Sequence, residues 1–264
     1  MAITGANPVI ARSIPMSIPD IEAIERAGLA AWPGIEEKWD GSWVRRASGG
    51  YTKRANSTQC FDPDDFEDAD LRIISASTWM IIRKTKPVFR ITPLAAPEVS
   101  ATLDESGWQT IDESHVYARE LGEHEADAEA HYLSITDPKF VASQSQLQGY
   151  DEATLTGFTN LMAVLKVPAV GVVLSRDGQA VASSLMAIAD GIVITGNVIT
   201  DTKRRRQGLA KSMMNSGLAW AKKEGAKFAA LNVQGDNPAA IALYANLGYT
   251  HQYDYHYRIP GAPK

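Results

Sequence analysis

The sequence is poor in cysteine, in long apolar runs and in basic charge. Cys60 is the one cysteine in 264 residues, so no disulfide can close within the chain and no cysteine-built zinc site is available. A reducing compartment is the natural expectation, with Cys60 as a small half-buried side chain. A membrane span takes about 20 apolar residues; the nearest approach, Val167 to Leu174, is short, contains Pro168 and reads as a buried strand. The N-terminal stretch to Asp20 has Arg12 inside it and no unbroken apolar core, so it reads as neither signal peptide nor anchor, and a cytoplasmic protein is expected. Lys and Arg number 26 against 31 Asp and Glu, a net charge of −5. Without a broad basic surface to displace counterions, nucleic acid is not expected as a partner, nor is a membrane. What is present is ordinary for a globular chain, 45% hydrophobic and 22% charged.

Periodicity organises the rest. A helix is expected over Asp20–Ala31, then strands at Trp43–Arg46 and Tyr51–Ser57 in a hairpin closed by Gly49-Gly50. An acidic helix start follows at Pro63–Ala69, then a strand at Pro87–Thr92, a helix at Pro97–Ser106 and a strand at Trp108–Ala118. The segment Glu120–Ala130 is acidic and poor in large apolar residues, and reads as a connector or solvated helix. The expected units are therefore residues 1–125 and 126–264. In the second, helices at Leu133–Phe140 and Glu152–Leu165 precede strands at Val167–Leu174, Gln179–Ala189 and Ile192–Thr200, joined by Asp177-Gly178 and Asp190-Gly191 hairpin turns. A helix Gln207–Glu224, a strand Lys227–Val233, a helix Pro238–Leu247 and a strand Thr250–Arg258 complete a β-β-β-α-β-α-β order. The fold class is mixed α and β. A faint echo links Leu103-x-x-x-Gly107-Trp108 with Ala245-x-x-Gly248-Tyr249, each a helix, a glycine and a strand.

The chemistry concentrates at Asn197–Ala210, where a strand pattern runs through Lys203-Arg204-Arg205-Arg206-Gln207-Gly208 into an amphipathic helix. First-turn amides have no intrahelical acceptor, and the helix dipole adds partial positive charge, so a diphosphate can take several backbone bonds there. Gly208 and Ala210 keep side chains away from that backbone, and the arginines with Lys211 add charge around a polyanion.

These residues resemble the GNAT superfamily of N-acetyltransferases, whose acetyl-CoA motif Arg/Gln-x-x-Gly-x-Gly/Ala is matched by Arg205-x-x-Gly208-x-Ala210. A second block, Asn237-x-x-Ala240-x-x-x-Tyr244-x-x-x-Gly248-Tyr249, stands in the family's order. The resemblance covers Ser134 to Arg258. It implies a central mixed, mostly antiparallel sheet flanked by helices. Gly41–Arg45 and Thr52–Ser57 look like the N-terminal region of two-domain relatives, implying a smaller GNAT-like α/β domain in front. The resemblance also implies acetyl-CoA as cosubstrate and no metal. Val198, Ile199 and Thr200 would pair with the pantetheine arm. Arg205, Arg206, Gln207, Gly208, Leu209, Ala210 and Lys211 would hold the diphosphate, and the Asn237 amide would touch the cofactor. Tyr244 would serve the departing thiolate as proton donor.

The implied reaction is direct attack of an amine, of a small molecule or peptide, on the thioester. Where some members carry a base glutamate, spacing places Ile194. Asp190, His251, Tyr255 and His256 are the remaining candidates, and no base is assigned. The acidic net charge favours a cationic amine. Two other readings stand beside this one: a non-catalytic acyl-CoA sensor, and a nucleotide site, which the lack of a Gly-Lys-Ser/Thr ending disfavours. The tail Tyr249, Tyr253, Tyr255, His256, Tyr257 alternates as a strand, one face open to a substrate cleft or to a second copy in a homodimer. Thr52–Ser57 is polar for a strand, and reads as an interdomain groove wall or an exposed edge.

Overall fold

The computed structural model describes residues 17–261. The N-terminal half comprises α1 (Ile21–Ala31), β1 (Glu36–Asp40), β2 (Trp43–Ala47), a 3-10 turn (Lys53–Ala55), β3 (Thr58–Cys60), α2 (Ala69–Ile82), β4 (Phe89–Ile91), α3 (Pro97–Glu105) and β5 (Gln109–Glu120). The C-terminal half comprises β6 (Ala130–Leu133), α4 (Pro138–Gln148), α5 (Glu152–Val164), β7 (Ala169–Arg176), β8 (Gln179–Ala189) and β9 (Ile192–Thr200). After a 3-10 turn (Thr202–Arg204) it continues with α6 (Leu209–Lys223), β10 (Phe228–Gln234), α7 (Pro238–Asn246) and β11 (Thr250–Ile259).

The strands of the described residues join one eleven-stranded mixed sheet in the order β1-β2-β3-β4-β11-β5-β10-β9-β8-β7-β6. The runs β3-α2-β4-α3-β5 and β9-α6-β10-α7-β11 are the same β-α-β-α-β unit, with a parallel pair inside each. Their last strands are exchanged: β11 lies against β4, β5 lies against β10, and the two pair antiparallel with each other. The sheet thus runs unbroken past residue 125. The echo in the sequence marks this symmetry, for Gly107 and Gly248 both take a left-handed φ, 75° and 82°, to turn α3 into β5 and α7 into β11. Helix α6 covers one face with Met213, Met214 and Leu218, all fully buried; α1, α4 and α5 cover the other.

Several expectations are corrected. Tyr51–Ser57 is not a strand: it holds the 3-10 turn, and β2 pairs antiparallel with β3 across that longer loop, while a tight hairpin closed by Gly41-Ser42 joins β1 to β2. Helix α2 begins at Ala69, and the acidic run before it is loop. Leu133–Phe140 is not a helix. It ends β6 and starts α4 only at Pro138, where the Asp137 side chain accepts from the Lys139 amide (2.7 Å).

The acidic connector is neither helical nor loose. Asp127 accepts from Arg176 (2.5 Å) and from Ser212 Oγ (2.5 Å), and its amide donates to Ser216 Oγ (2.9 Å), pinning the segment to α6 and β7. Those bonds, Arg176 foremost, pull the Asp127 carboxyl down to about 2. An unfolded Asp titrates near 3.9, so this contact stabilises the fold above about pH 4 and is lost as pH falls towards 2. Asp127→Asn should cost about 1–3 kcal/mol at neutral pH and most of the gap to wild type should close by pH 2, which thermal denaturation at both pH values checks.

Candidate active site

Two features of the second β-α-β-α-β unit make the site. The first is a parting of strands. β9 and β10 pair in parallel only from Ile192 with Phe228 to Thr195 with Leu231; beyond that, Asn232–Gln234 pair with β5 alone. On its other edge β9 shifts register against β8 near Ser183 and Leu185, where Asn197 takes φ 50°. The edge of Gly196–Thr200 that would have met β10 is open to an added extended chain.

The second is the corner before α6. Arg206 and Gly208 have φ of 63° and 76°, both in the left-handed region. The first intrahelical bond runs from the Ser212 amide to the Gly208 carbonyl (2.9 Å), leaving the amides of Leu209, Ala210 and Lys211 without intrahelical acceptors. A Cβ at Gly208 would meet no protein atom within 4 Å. Glycine is therefore favoured there by its backbone angle, whatever space a ligand takes. Arg204 pairs with Asp177 (3.3 Å); Arg205, Arg206 and Lys211 have no ion pair among the described residues and give the corner its net positive charge. The matching corner of the N-terminal half, between β3 and α2, carries Asp62, Asp64, Asp65, Glu67 and Asp68 instead, a charge that repels anions.

Both features open into one cleft of about 980 Å³. Val198, Ile199, Thr200, Arg205, Arg206, Gly208, Leu209, Ala210, Lys211, Asn237 and Tyr244 line it; of the residues expected to hold the cofactor, Gln207 alone is off its wall. Asn237 uses its Oδ1 to cap α7, accepting from the Ala240 amide (3.1 Å), which leaves its NH₂ for a ligand. Tyr244, on α7, packs edge-on against Tyr249 at 6.0 Å, and burial pushes its phenol up to about 12. The phenol therefore keeps its proton at neutral pH.

The opposite wall comes from the N-terminal half and from β11: Tyr51, Lys53, Arg54, Asp112, Ser114, Tyr255 and Tyr257. Of the two readings given for Thr52–Ser57, the groove wall is the one observed. Buried Asn56 shapes it, accepting from the amides of Ser48 (2.6 Å) and Gly50 (3.0 Å) and donating to the Thr52 carbonyl (2.8 Å). The Asn197 side chain binds the hydroxyls of Tyr51 (3.2 Å) and Tyr150 (3.0 Å), tying that wall to the irregular point of β9.

The base candidates separate. Asp190 lies in the β8–β9 turn, His251 and His256 are off the cleft wall, and Tyr255 alone is on it. Ile194 is buried beside the parting. The cleft's one carboxylate, Asp112, escaped the sequence reading; it sits in β5 at φ 51° and pairs with Lys53 (2.8 Å). A left-handed Asp inside a strand is visible only once the backbone is known. Away from the cleft, His115, His251 and Asp254 are the one group of possible metal ligands among the described residues. His124, in the connector, bonds Asn215 (3.1 Å). No helix among the described residues is long and apolar enough to cross a membrane.

Comparison with known proteins places this geometry. The family described as the probable histone acetyltransferase Rv0428c C-terminal region matches residues 18–258. YobR of Bacillus subtilis (strain 168), an uncharacterized N-acetyltransferase, is 25% identical over 247 residues, which span 91% of this chain and 98% of that protein. Among solved structures, a GCN5-related N-acetyltransferase from Kribbella flavida superposes with a TM-score of 0.70 at 19% identity, covering 93% of this chain and 98% of the other. A tandem GNAT protein from the clavulanic acid biosynthesis pathway superposes with a TM-score of 0.61 at 12% identity, covering 96% and 92%. The likeness to these two is one of fold.

Proposed function

The chain belongs to the acetyltransferase family of the Rv0428c C-terminal region, and from that premise we propose that it transfers an acetyl group from acetyl-CoA to a primary amine by direct attack on the thioester. One observation carries this reading: an unpaired strand edge and a cationic, acceptor-free helix start open into the same cleft. The amides of Leu209, Ala210 and Lys211, with Arg205 and Arg206 beside them, suit the diphosphate. The open edge at Val198–Thr200 suits the amide-bearing pantetheine arm, and one of its N–H groups would steady the negative charge that gathers on the acyl oxygen. As the new C–N bond forms and the C–S bond breaks, the amine loses its proton to solvent and Tyr244 gives its own to the departing sulfur, to be reprotonated from water.

The N-terminal half acts in this proposal as a second, GNAT-like unit, residues 1–125 against 126–264, whose wall narrows the acceptor end. Its acidic corner suits no second CoA. A non-catalytic acyl-CoA sensor is the alternative, favoured by the lack of a cleft carboxylate outside the Asp112–Lys53 pair. Release of free thiol from acetyl-CoA in the presence of varied amines decides between them. The proposal expects turnover with at least one amine; CoA binding without turnover on any amine would establish the sensor.

A further inference from the structure

On the wall contributed by the N-terminal half, Asp112 pairs with Lys53 (2.8 Å) and Arg54 is the charge left over. Arg54 lies on the wall of the cleft and also of a smaller cavity of about 30 Å³ that opens where β9 and β10 part. Its guanidinium stacks on Trp32 at 4.4 Å, and its NH1 stands 3.7 Å from where a Cβ of Gly196 would be, the first residue of β9 past the last pairing with β10. Among the described residues it has no carboxylate partner. A guanidinium stacked on an indole and without an anion can fork onto one.

The smaller cavity points the same way. Arg46, on its wall and 2% exposed, spends one N–H on the Trp32 carbonyl (3.0 Å) and leaves its Nε without a partner; the Trp32 Nε1 is also buried and unpartnered. The one carboxylate on that wall, Glu25, is already engaged by Arg90, Gln59 (2.6 Å) and Tyr253 (2.5 Å). The cavity thus adds unpartnered donors beside Arg54, and a carboxylate, which accepts at both oxygens, complements them.

Resting on the acetyltransferase reading of the same cleft, we propose that the acceptor is a small amine bearing a carboxylate close to its nitrogen, as an amino acid does, and that Arg54 holds that carboxylate. This revises the expectation of a cationic acceptor drawn from the net charge of the whole chain, since Lys53 is offset by Asp112 (2.8 Å) and Arg54 is the charge left over at this end. It also bears on the apolar Ile194. With its carboxylate neutralised by Arg54, the amine lies beside cationic charge, which lowers its pKa, so such an acceptor asks less of a general base.

The test compares L-amino acids with their carboxamides, and with spermidine, as acceptors for the full-length protein, by thiol release, alongside calorimetry of CoA binding. The wild type should favour an acid over its amide by about ten-fold or more in kcat/KM. Arg54→Gln should close that gap through the KM of the acid with CoA affinity intact, and Arg54→Lys should restore part of it. Equal rates for acid and amide, a preference for spermidine, or a gap that survives in Arg54→Gln would overturn the proposal while leaving acetyl transfer standing. Failure to bind CoA, or binding with no turnover on any amine, would overturn both.

Discussion

Reversing both charges at the corner, Arg205→Glu with Arg206→Glu, should weaken CoA binding by about 100-fold or more. Each arginine offers charge-assisted hydrogen bonds worth about 1.5–3 kcal/mol to a phosphate, and each replacement adds repulsion. Neither side chain makes an ion pair among the described residues and both are exposed, so their loss removes no contact that the fold needs. Lys223→Glu, equally exposed at the far end of α6, should change affinity by no more than about two-fold, because beyond a Debye length of about 10 Å exposed charges are largely screened. Calorimetry on the two variants separates a built anion site from a general field effect. The difference should shrink as salt rises, and equal effects of the two substitutions would remove the diphosphate from this corner.

Tyr244→Phe should lower kcat by about 100-fold and leave CoA affinity almost unchanged. The ring packs against Tyr249, and phenylalanine keeps that contact. What disappears is the proton at Oη. General acid catalysis contributes about 10²–10⁴-fold, and the lower end applies because water can also reach a cleft this wide. With the phenol pushed up to about 12, its donor role persists across the range in which an amine becomes deprotonated. The rate should therefore rise with pH and show no fall from tyrosine ionisation below about pH 10, given the ordinary tyrosine value near 10. A kcat unchanged in the variant would make Tyr244 a packing residue.

Much of this was legible locally. The Asp177-Gly178 and Asp190-Gly191 turns announce a meander because both residues of such a turn need positive φ, and the structure has it at all four. The strand-to-helix corner at Asn197–Ala210 is likewise encoded in consecutive residues. What escaped depends on partners distant in sequence. β1 is a strand because it pairs with β2, although its own residues, Glu36-Glu37-Lys38-Trp39-Asp40, are polar but for Trp39 and largely exposed on both faces. The loop at Tyr51–Ser57 owes its shape to bonds made by one buried asparagine, Asn56, and not to alternation. The exchange of β5 and β11 leaves no local trace beyond Gly107 and Gly248, since any helix followed by glycine and a strand reads alike. That exchange brings Ser114 and Tyr255 side by side in the cleft, and long-range pairing is how the acceptor wall comes to be assembled from both halves.

The most direct test is a crystal of the full chain grown with CoA. The diphosphate should lie about 3 Å from the amides of Leu209, Ala210 and Lys211, with the pantetheine arm along Val198–Thr200. CoA bound elsewhere on the molecule, with that corner facing bulk water, would contradict the account at its root.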